Sequence, residues 1–366
     1  MPKPARWWPG GSRARNTAGS QEVHSQVLQQ CVKDLERAYT NLCAGRTAPP
    51  RYRKKFLADS FRYPQGFKLD GRQVYLPRIG WVEFWESRRM EGTIKNVTVS
   101  RQGPHWFVSF QVEMEVATPV HPATAEVGID LGIATFAAFS DGALYPPLNA
   151  YRRVAQKKAR MQRRLAGMVK YSCNWQKQRR RIAQLDIRIA HCRHDFLHKL
   201  STHTSKNHAV IVIEDLQVKQ MSKSAKGTVA EPGTNVAQKS GLNKAILDQG
   251  WGIFRGMLAY KQAWRGGAVL AVHPRYTSQT CPACGHVSKA NRPQQALFSC
   301  IACGYTYHAD IVAAKNILAL GHRERLNACS PRERRQESPS FTAGRMSKRS
   351  SPVQPHVVSA VPPIRL

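Results

Sequence analysis

Four cysteines in the later part of the chain have the residue type and spacing of a metal site. Cys281 and Cys284 form one C-x-x-C pair, Cys300 and Cys303 form a second, and fifteen residues separate the pairs. Because each short turn directs two sulfurs at one ion, this spacing predicts a structural Zn²⁺ bound by four thiolates. Two disulfides are the alternative, but the five remaining cysteines are scattered and odd in number, which favours a reducing compartment.

Three carboxylates that are far apart in the chain could bind a different kind of metal. Asp130 lies in a predicted strand, Glu214 ends an apolar β-branched run, and Asp310 opens an apolar helical run. A carboxylate at the end of a buried strand has a desolvation cost that a cation would offset. Oxygen ligands suit Mg²⁺, and two such ions about 4 Å apart can hydrolyse a phosphodiester. Each signal has an ordinary alternative, since G-x-D-x-G is widespread and Asp at a helix start is usually an N-cap.

The composition of the chain indicates a polyanionic partner. Lys and Arg outnumber Asp and Glu by 56 to 23 in 366 residues, which gives a formal net charge of +33. A charge of this size makes nucleic acid the default partner. The sequence contains no run of eighteen apolar residues and no signal peptide in its first twenty, so we expect a cytoplasmic protein without a membrane partner.

The elements that must position these residues can be predicted from hydrophobic periodicity. Apolar residues at helical spacing predict a helix from Ser25 to about Ala44, with Ser25 as its N-cap and Gly45 as its stop. Alternating apolar residues between Phe61 and Met114, interrupted by Gly and Pro, predict short strands that form a small antiparallel barrel.

The part of the chain around the three carboxylates predicts a mixture of strands and helices. Asp141 and Gly142 form a hairpin turn after the strand of the first carboxylate. The run AVIVI predicts a central buried strand, and residues 217–241 predict a flexible polar loop after it. A helix containing Ile246 and Leu258 and a strand AVLAV then lead to the four cysteines.

Residues 151–200 hold 15 Lys and Arg against two Asp, among apolar residues at helical spacing. This pattern predicts two long basic amphipathic helices. The ordinary interpretation of such helices is a solvated surface, but the excess of one sign favours a surface that faces phosphates.

Together these motifs resemble the TnpB (OrfB) family of bacterial insertion sequences, relatives of the type V CRISPR nucleases. The segments GIDLG, IVIEDL and YTSQTCPACG...FSCIACGYTYHADIVAAKNIL are similar to the family's interrupted RuvC-like domain. KSGLNKAILDQGWGIFRGMLAYK is similar to the segment before the ribbon, and VYLPRIGWVEFWESRRMEGTIKNVTVS to the upstream barrel. The resemblance covers roughly residues 23–320.

The resemblance implies an α/β fold: an RNase H-like (RuvC) domain with an inserted four-Cys zinc ribbon, preceded by a small helical lobe and an antiparallel β-barrel. The expected boundaries are an irregular, atypical N-terminus at 1–22, the lobe and barrel at 23–118, the nuclease domain at 123–320 with its ribbon at 278–306, and a disordered basic tail at 321–366.

The function implied by the resemblance is that of an RNA-guided DNA endonuclease encoded by a transposon. Asp130, Glu214 and Asp310 would be the catalytic residues and the ligands of two Mg²⁺ ions, and Asp215 would be accessory. The implied partners are a guide RNA from the element's own locus and a target DNA. We expect the protein to be associated with the bacterial nucleoid.

Two departures from the family pattern leave other functions open. Met1 to Ser20 does not match the strand and helix with which members usually begin, and Val312 stands where Asn is common. The altered N-terminus would favour a catalytically silent RNA- or DNA-binding protein, either a repressor or a transposition accessory factor. An integrating transposase could use the same carboxylates, but no separate end-binding domain is visible.

Overall fold

The computed structural model describes residues 23–52, 59–87, 89–103 and 105–329. The predictions for residues 1–22 and for the tail from residue 330 lie outside these ranges. The described residues form two compact units that meet in sequence between Glu115 and Val116. None of the helices in the described ranges is long and apolar enough to span a membrane.

The first unit is a helix with two small antiparallel sheets. Its elements are α1 (Ser25–Cys43), β1 (Ser60–Tyr63), β2 (Lys68–Asp70), β3 (Gln73–Leu76), β4 (Gly80–Glu83), β5 (Thr93–Gln102) and β6 (His105–Glu113). The sheets have the orders β1-β5-β6 and β2-β3-β4 and share one apolar core, to which Val74, Val97 and Phe110 contribute.

Two predictions for this unit are corrected by the structure. In the described residues the strands form two three-stranded sheets rather than one barrel, because β2, β3 and β4 pair only among themselves. Helix α1 begins at Ser25, so its N-cap is His24, whose Nδ1 accepts from Gln26 N at 3.4 Å. The predicted stop at Gly45 is confirmed, since this residue has φ +66° directly after the C-cap.

The second unit is built around a five-stranded mixed sheet. Its strands are β7 (Glu126–Asp130), β8 (Ala137–Phe139), β9 (Leu144–Tyr145), β10 (Val210–Glu214) and β11 (Ala268–Val272), in the order β11-β10-β7-β8-β9. Strands β7, β10 and β11 are parallel, whereas β8 and β9 are antiparallel to their neighbours. The predictions of a hairpin after β7 and of a buried central strand over AVIVI are confirmed.

Helices and a small two-stranded sheet complete the second unit. They are α2 (Ala150–Ala166), α3 (Cys173–Asn207), α4 (Val218–Met221), α5 (Val236–Gln249), α6 (Trp251–Arg265), β12 (Leu297–Ser299), β13 (Thr306–His308) and α7 (Ala309–Cys329). The sheet's core contains Ile129, Ile211 and Phe254, all of them inaccessible to solvent.

Three predictions for this unit need correction. Residues 217–241 are not a loop throughout, because α4 and the start of α5 lie within them. The single helix predicted after them is in fact two helices, α5 and α6. Gly250 lies between them with φ +75°, which interrupts the helical backbone at this residue. Helix α7 runs to Cys329, past the predicted start of the disordered tail at residue 321.

Helix α7 packs directly on the backbone of strand β7. A Cβ atom added to Gly128 would lie 2.1 Å from the carbonyl oxygen of Ala314 and 2.7 Å from the nitrogen of Leu318. A second glycine, Gly321, allows the same helix to approach Val212 on β10. The absence of a side chain at Gly128 therefore sets how closely the helix that carries Asp310 lies against the strand that carries Asp130.

We expect Gly128→Ala to lower the free energy of unfolding by more than about 2 kcal/mol, because the added methyl group must push two backbones apart. Gly256→Ala is the matched control. It adds the same methyl group to an exposed helical position with nothing within 4 Å, so it should raise stability by about 0.5–1 kcal/mol. Urea unfolding measures both, and equal effects would contradict the close packing.

Candidate active site and zinc ribbon

Two of the predicted site residues lie at the same edge of the five-stranded sheet. Asp130 is the last residue of β7 and Glu214 is the last residue of β10. The strands are parallel, and Ile129 of β7 is opposite Ile213 of β10. Asp130 and Glu214, the next residue of each strand, therefore lie side by side at the carboxyl ends of the two strands. Asp310 lies in the first turn of α7, the helix that packs on β7.

The electrostatics of Asp130 indicate that the three carboxylates share one site. Burial raises the pKa of Asp130 to about 7, with further contributions from the charges of Glu214 and Asp310. The cation of Arg292 and a backbone hydrogen bond from Leu131 oppose this increase. Because the charges of Glu214 and Asp310 both act on Asp130, carboxylates from three separate segments of the chain lie near one another here.

Two side chains that the sequence did not single out hold the other carboxylates. Thr277 Oγ1 donates to Glu214 Oε1 at 2.7 Å, which partly offsets the rise that burial causes in the pKa of Glu214. Arg292, from the segment between the two cysteine pairs, donates from Nη2 to Asp310 Oδ1 at 3.0 Å. Neither residue belongs to a recognisable spacing pattern, because each reaches the site from a different loop.

A further residue that the sequence analysis missed holds the loop of Thr277. Asn316, two turns along α7, donates from Nδ2 to the carbonyl oxygens of Thr277 and Thr280 at 2.8 and 2.7 Å. Helix α7 thus carries one carboxylate and also fixes the loop whose hydroxyl orients another. The nearby Asp215 instead forms an ion pair with Arg255 and is half exposed.

The carboxylate donors fit a hard divalent cation. Burial and the charges of Glu214 and Asp310 disfavour the charged form of Asp130, and burial disfavours that of Glu214. A cation bound between these groups would relieve both effects. Among the described residues, the three carboxylates are not gathered as tightly as the four thiols. Glu214 accepts a hydrogen bond from Thr277, and Asp310 accepts one from Arg292.

The four cysteines have the geometry of a zinc ribbon. Their sulfurs all lie within 4.8 Å of one another, with Cys281 Sγ 3.7 Å from Cys303 Sγ and Cys284 Sγ 3.6 Å from Cys300 Sγ. Four Zn–S bonds of about 2.3 Å place tetrahedral sulfurs roughly 3.8 Å apart, whereas a disulfide needs about 2.05 Å. The distances fit four thiolates around one ion and exclude the disulfide alternative for these pairs.

The backbone around the cysteines is shaped for metal binding. Gly285 and Gly304 take φ +75° and +73°, and their N–H groups donate to the carbonyl oxygens of Cys281 and Cys300 at 2.9 Å. Glycine adopts this positive φ without strain, which allows the tight turn after each cysteine pair. The ribbon is joined to α7 by an apolar cluster that includes the fully buried Val312, so an apolar residue suits this position.

We expect Cys300→Ser to lower the zinc content from about one ion per chain and to destabilise the ribbon, because a hydroxyl is a poor zinc ligand. Elemental analysis and thermal unfolding measure the two effects. Cys192→Ser is the matched control, since Cys192 is an exposed thiol outside the ribbon. Zinc content equal to that of the wild type in the Cys300 variant would contradict the four-cysteine site.

The raised pKa of Asp130 makes a prediction about stability in magnesium-free buffer. A carboxyl whose pKa is raised on folding contributes its stabilisation below about pH 4 and loses it as the pH rises through about 7. Asp130→Asn cannot ionise, so its stability relative to the wild type should increase between pH 5 and pH 8. Urea unfolding at the two pH values tests this, and parallel pH dependence in both proteins would contradict the raised pKa.

Comparisons with known proteins identify relatives of this chain. The family model OrfB_IS605, described as a probable transposase, matches residues 109–225. A second model, the Cas12f1-like TNB domain, matches residues 251–317, which include the four cysteines. Among solved structures, the cryo-EM structure of the Cas12f1-sgRNA-target DNA complex has a TM-score of 0.48 at 13% identity, over 80% of this chain and 70% of that chain.

Two curated relatives extend the match to most of the chain. The protein "Putative RNA-guided DNA endonuclease InsQ" of Escherichia coli (strain K12) is 53% identical over 87% of this chain and 80% of its own length. A Streptomyces pristinaespiralis protein, "Putative RNA-guided DNA endonuclease", is 34% identical over 90% of this chain and 79% of its own. The chain therefore belongs to the TnpB/OrfB family of insertion-sequence proteins.

Proposed function

We propose that this chain is a transposon-encoded, RNA-guided DNA endonuclease that cuts DNA at a site formed by Asp130, Glu214 and Asp310. The observation that carries the proposal is the convergence of three carboxylates from separate segments at one edge of the sheet. The names of the relatives at 53% and 34% identity support the activity. The net charge of +33 supports RNA and DNA as partners.

The domain that contains the site is proposed to be RNase H-like. The strand order β9-β8-β7-β10-β11 supports this, since an antiparallel hairpin meander is followed by two parallel strands on the other side of β7. In open sheets of this kind, functional groups gather beyond the carboxyl ends of the central strands. Asp130 and Glu214 hold those positions on β7 and β10.

The reaction is proposed to depend on Mg²⁺ held by the three carboxylates, while the cysteine ribbon holds a structural Zn²⁺. When bound, Mg²⁺ supplies an activated water and stabilises the charge on the leaving oxygen. Thr277 and Arg292 each bond one oxygen of their carboxylate, Glu214 Oε1 and Asp310 Oδ1. The second oxygen of each group is then the candidate ligand, and its direction is set by those bonds.

The chain's own residues have distinct roles in this proposal. Asp130, whose pKa burial raises to about 7, supplies a buried negative charge that a cation would stabilise. Arg292 keeps a positive charge beside Asp310, where a DNA phosphate must enter. Guide pairing supplies the sequence specificity, and contacts of basic residues with phosphates supply affinity.

The test is cleavage by the complex of the protein with RNA transcribed from its flanking locus. The complex is incubated with Mg²⁺ and a plasmid library that carries randomised sequence beside the target. We expect cutting next to a short defined motif. Tight RNA binding without cutting in the wild type would instead support the alternative, a catalytically silent RNA- or DNA-binding protein.

Variants of the carboxylates test the assignment of the site. Asp310→Ala and Glu214→Gln should reduce cleavage by at least about 10³-fold, because the cation site loses a ligand, with little change in DNA binding. Asp215→Asn is the matched control, since Asp215 is next to Glu214 in sequence but pairs with Arg255. Cleavage that survives in the Asp310 variant, or that is lost in the Asp215 variant alone, would contradict the assignment.

A further inference from the structure

The hairpin formed by α2 and α3 carries aromatic and basic side chains that are not part of the carboxylate site. We call residues 167–179, which include the turn between these helices, the hairpin tip. Helix α3 has 35 residues and enters the core of the sheet only near Leu197. At 1.5 Å per residue, Trp175 lies about 33 Å before that point along the helix axis. The tip therefore lies far along α3 from the packed core.

The base of the hairpin is fixed to the rest of the unit. The buried carboxylate of Asp248, at the end of α5, accepts from the backbone N–H groups of Tyr151 and Arg152 at 3.0–3.2 Å. The same carboxylate is paired with Arg193 of α3 at 2.6 Å. One buried acid thus caps α2 and holds α3, which gives the long hairpin a defined direction.

The charge of the hairpin is of one sign over a long stretch of sequence. Between residues 142 and 185 there are twelve Lys and Arg and no Asp or Glu. One of the twelve, Lys158, pairs with Asp186 just beyond this stretch. A surface of this kind attracts a polyanion at long range and releases counterions when it binds one.

The hairpin tip adds two aromatic rings to this charge. Tyr171 is 76% exposed, and its ring centroid lies 5.4 Å from that of Trp175. The guanidinium of Arg179 lies 5.4 Å from the centroid of the Trp175 ring. Adjacent aromatic and guanidinium planes among basic residues are the components of a platform on which nucleobases stack.

The backbone presets the position of these rings. Tyr171 takes φ +68°, a conformation that costs an ordinary residue free energy and that glycine would adopt without strain. Two hydrogen bonds hold the turn, from Gln176 Nε2 to the carbonyl oxygen of Tyr171 at 3.0 Å and from Trp175 N to Ser172 Oγ at 3.2 Å. Tyr171 therefore exposes a large ring at a backbone position where glycine would be more stable.

We propose that the hairpin tip binds unpaired bases of RNA by stacking them on Tyr171 and Trp175, while the basic residues of α2 and α3 contact the phosphates. The choice of RNA rests on the proposed function. A guide RNA presents unpaired bases in its loops and ends before any target is met, whereas target DNA is a duplex until it is opened.

The experiment measures binding of the full-length protein to a fluorescein-labelled, unstructured 15-nucleotide RNA by fluorescence anisotropy. We expect Tyr171→Ala combined with Trp175→Ala to raise the Kd about 5- to 150-fold without changing the salt dependence. Trp175→Phe should retain most of the affinity because it keeps a ring. Val169→Ala is the matched control, since Val169 is 79% exposed in the same turn but has no ring.

Two further probes separate stacking from charge. A blunt RNA duplex of the same length should bind the double variant and the wild type with equal affinity, because its bases are already stacked on one another. Lys177→Ala should weaken binding to both RNAs and reduce the slope of log K against log salt by about one. A melting temperature for each variant shows that the fold is retained.

Several results would overturn the proposal. These are equal affinity of the double variant and the wild type for single-stranded RNA, equal losses on single-stranded and duplex RNA, or a loss confined to a single-stranded DNA of the same sequence. If the wild type binds RNA and the double variant matches it, the stacking proposal fails and the nuclease proposal stands. If the wild type binds none of the RNA probes and no RNA from its own locus, both proposals fail.

Discussion

The backbone contact between helix α7 and strand β7 is the constraint on which the site depends. The helix lies so close that a single methyl group at Gly128 would overlap the carbonyl oxygen of Ala314. This contact brings Asp310 to the sheet edge that holds Asp130. The same helix fixes the loop of Thr277 through Asn316, so one packed element sets the positions of two carboxylates and the hydrogen bond to the third.

The carboxylates work against the stability of the domain that holds them. Burial and mutual repulsion raise the pKa of Asp130 to about 7, and burial raises that of Glu214. Arg292 and Thr277 offset part of this cost without removing it. Such an arrangement is typical of a site whose favourable state includes a bound cation, because the cation supplies the opposite charge that the fold lacks.

The cysteine ribbon is in contact with elements of the carboxylate site. Its apolar cluster includes Val312 of α7, and Arg292 extends from the ribbon segment to Asp310. Loss of the ribbon's order would therefore displace a charge beside the carboxylates. The cysteine cluster and the carboxylate cluster differ in chemistry, but both are in contact with the same helix, α7.

The sequence alone determined the features that depend on local pattern and residue type. The C-x-x-C spacing predicted the four-thiolate site, the β-branched run predicted the buried strand that ends at Glu214, and periodicity predicted the two basic helices. Motifs in combination predicted the family, which the relative at 53% identity confirms. The predicted loop at residues 217–241 and the single helix predicted across Gly250 were wrong, because short polar or glycine-containing segments do not distinguish a loop from a helix end.

Only the tertiary structure decided which distant residues meet. Thr277, Arg292 and Asn316 belong to no spacing motif, and their roles follow from the packing of loops and α7 around the sheet edge. The first unit was predicted to contain one barrel and contains two small sheets. Alternation of apolar and polar residues predicts that a segment is a strand, but it does not specify which distant strand pairs with it. A pattern repeated along the chain fixes which face of an element is buried, but contacts between elements depend on the whole packed core.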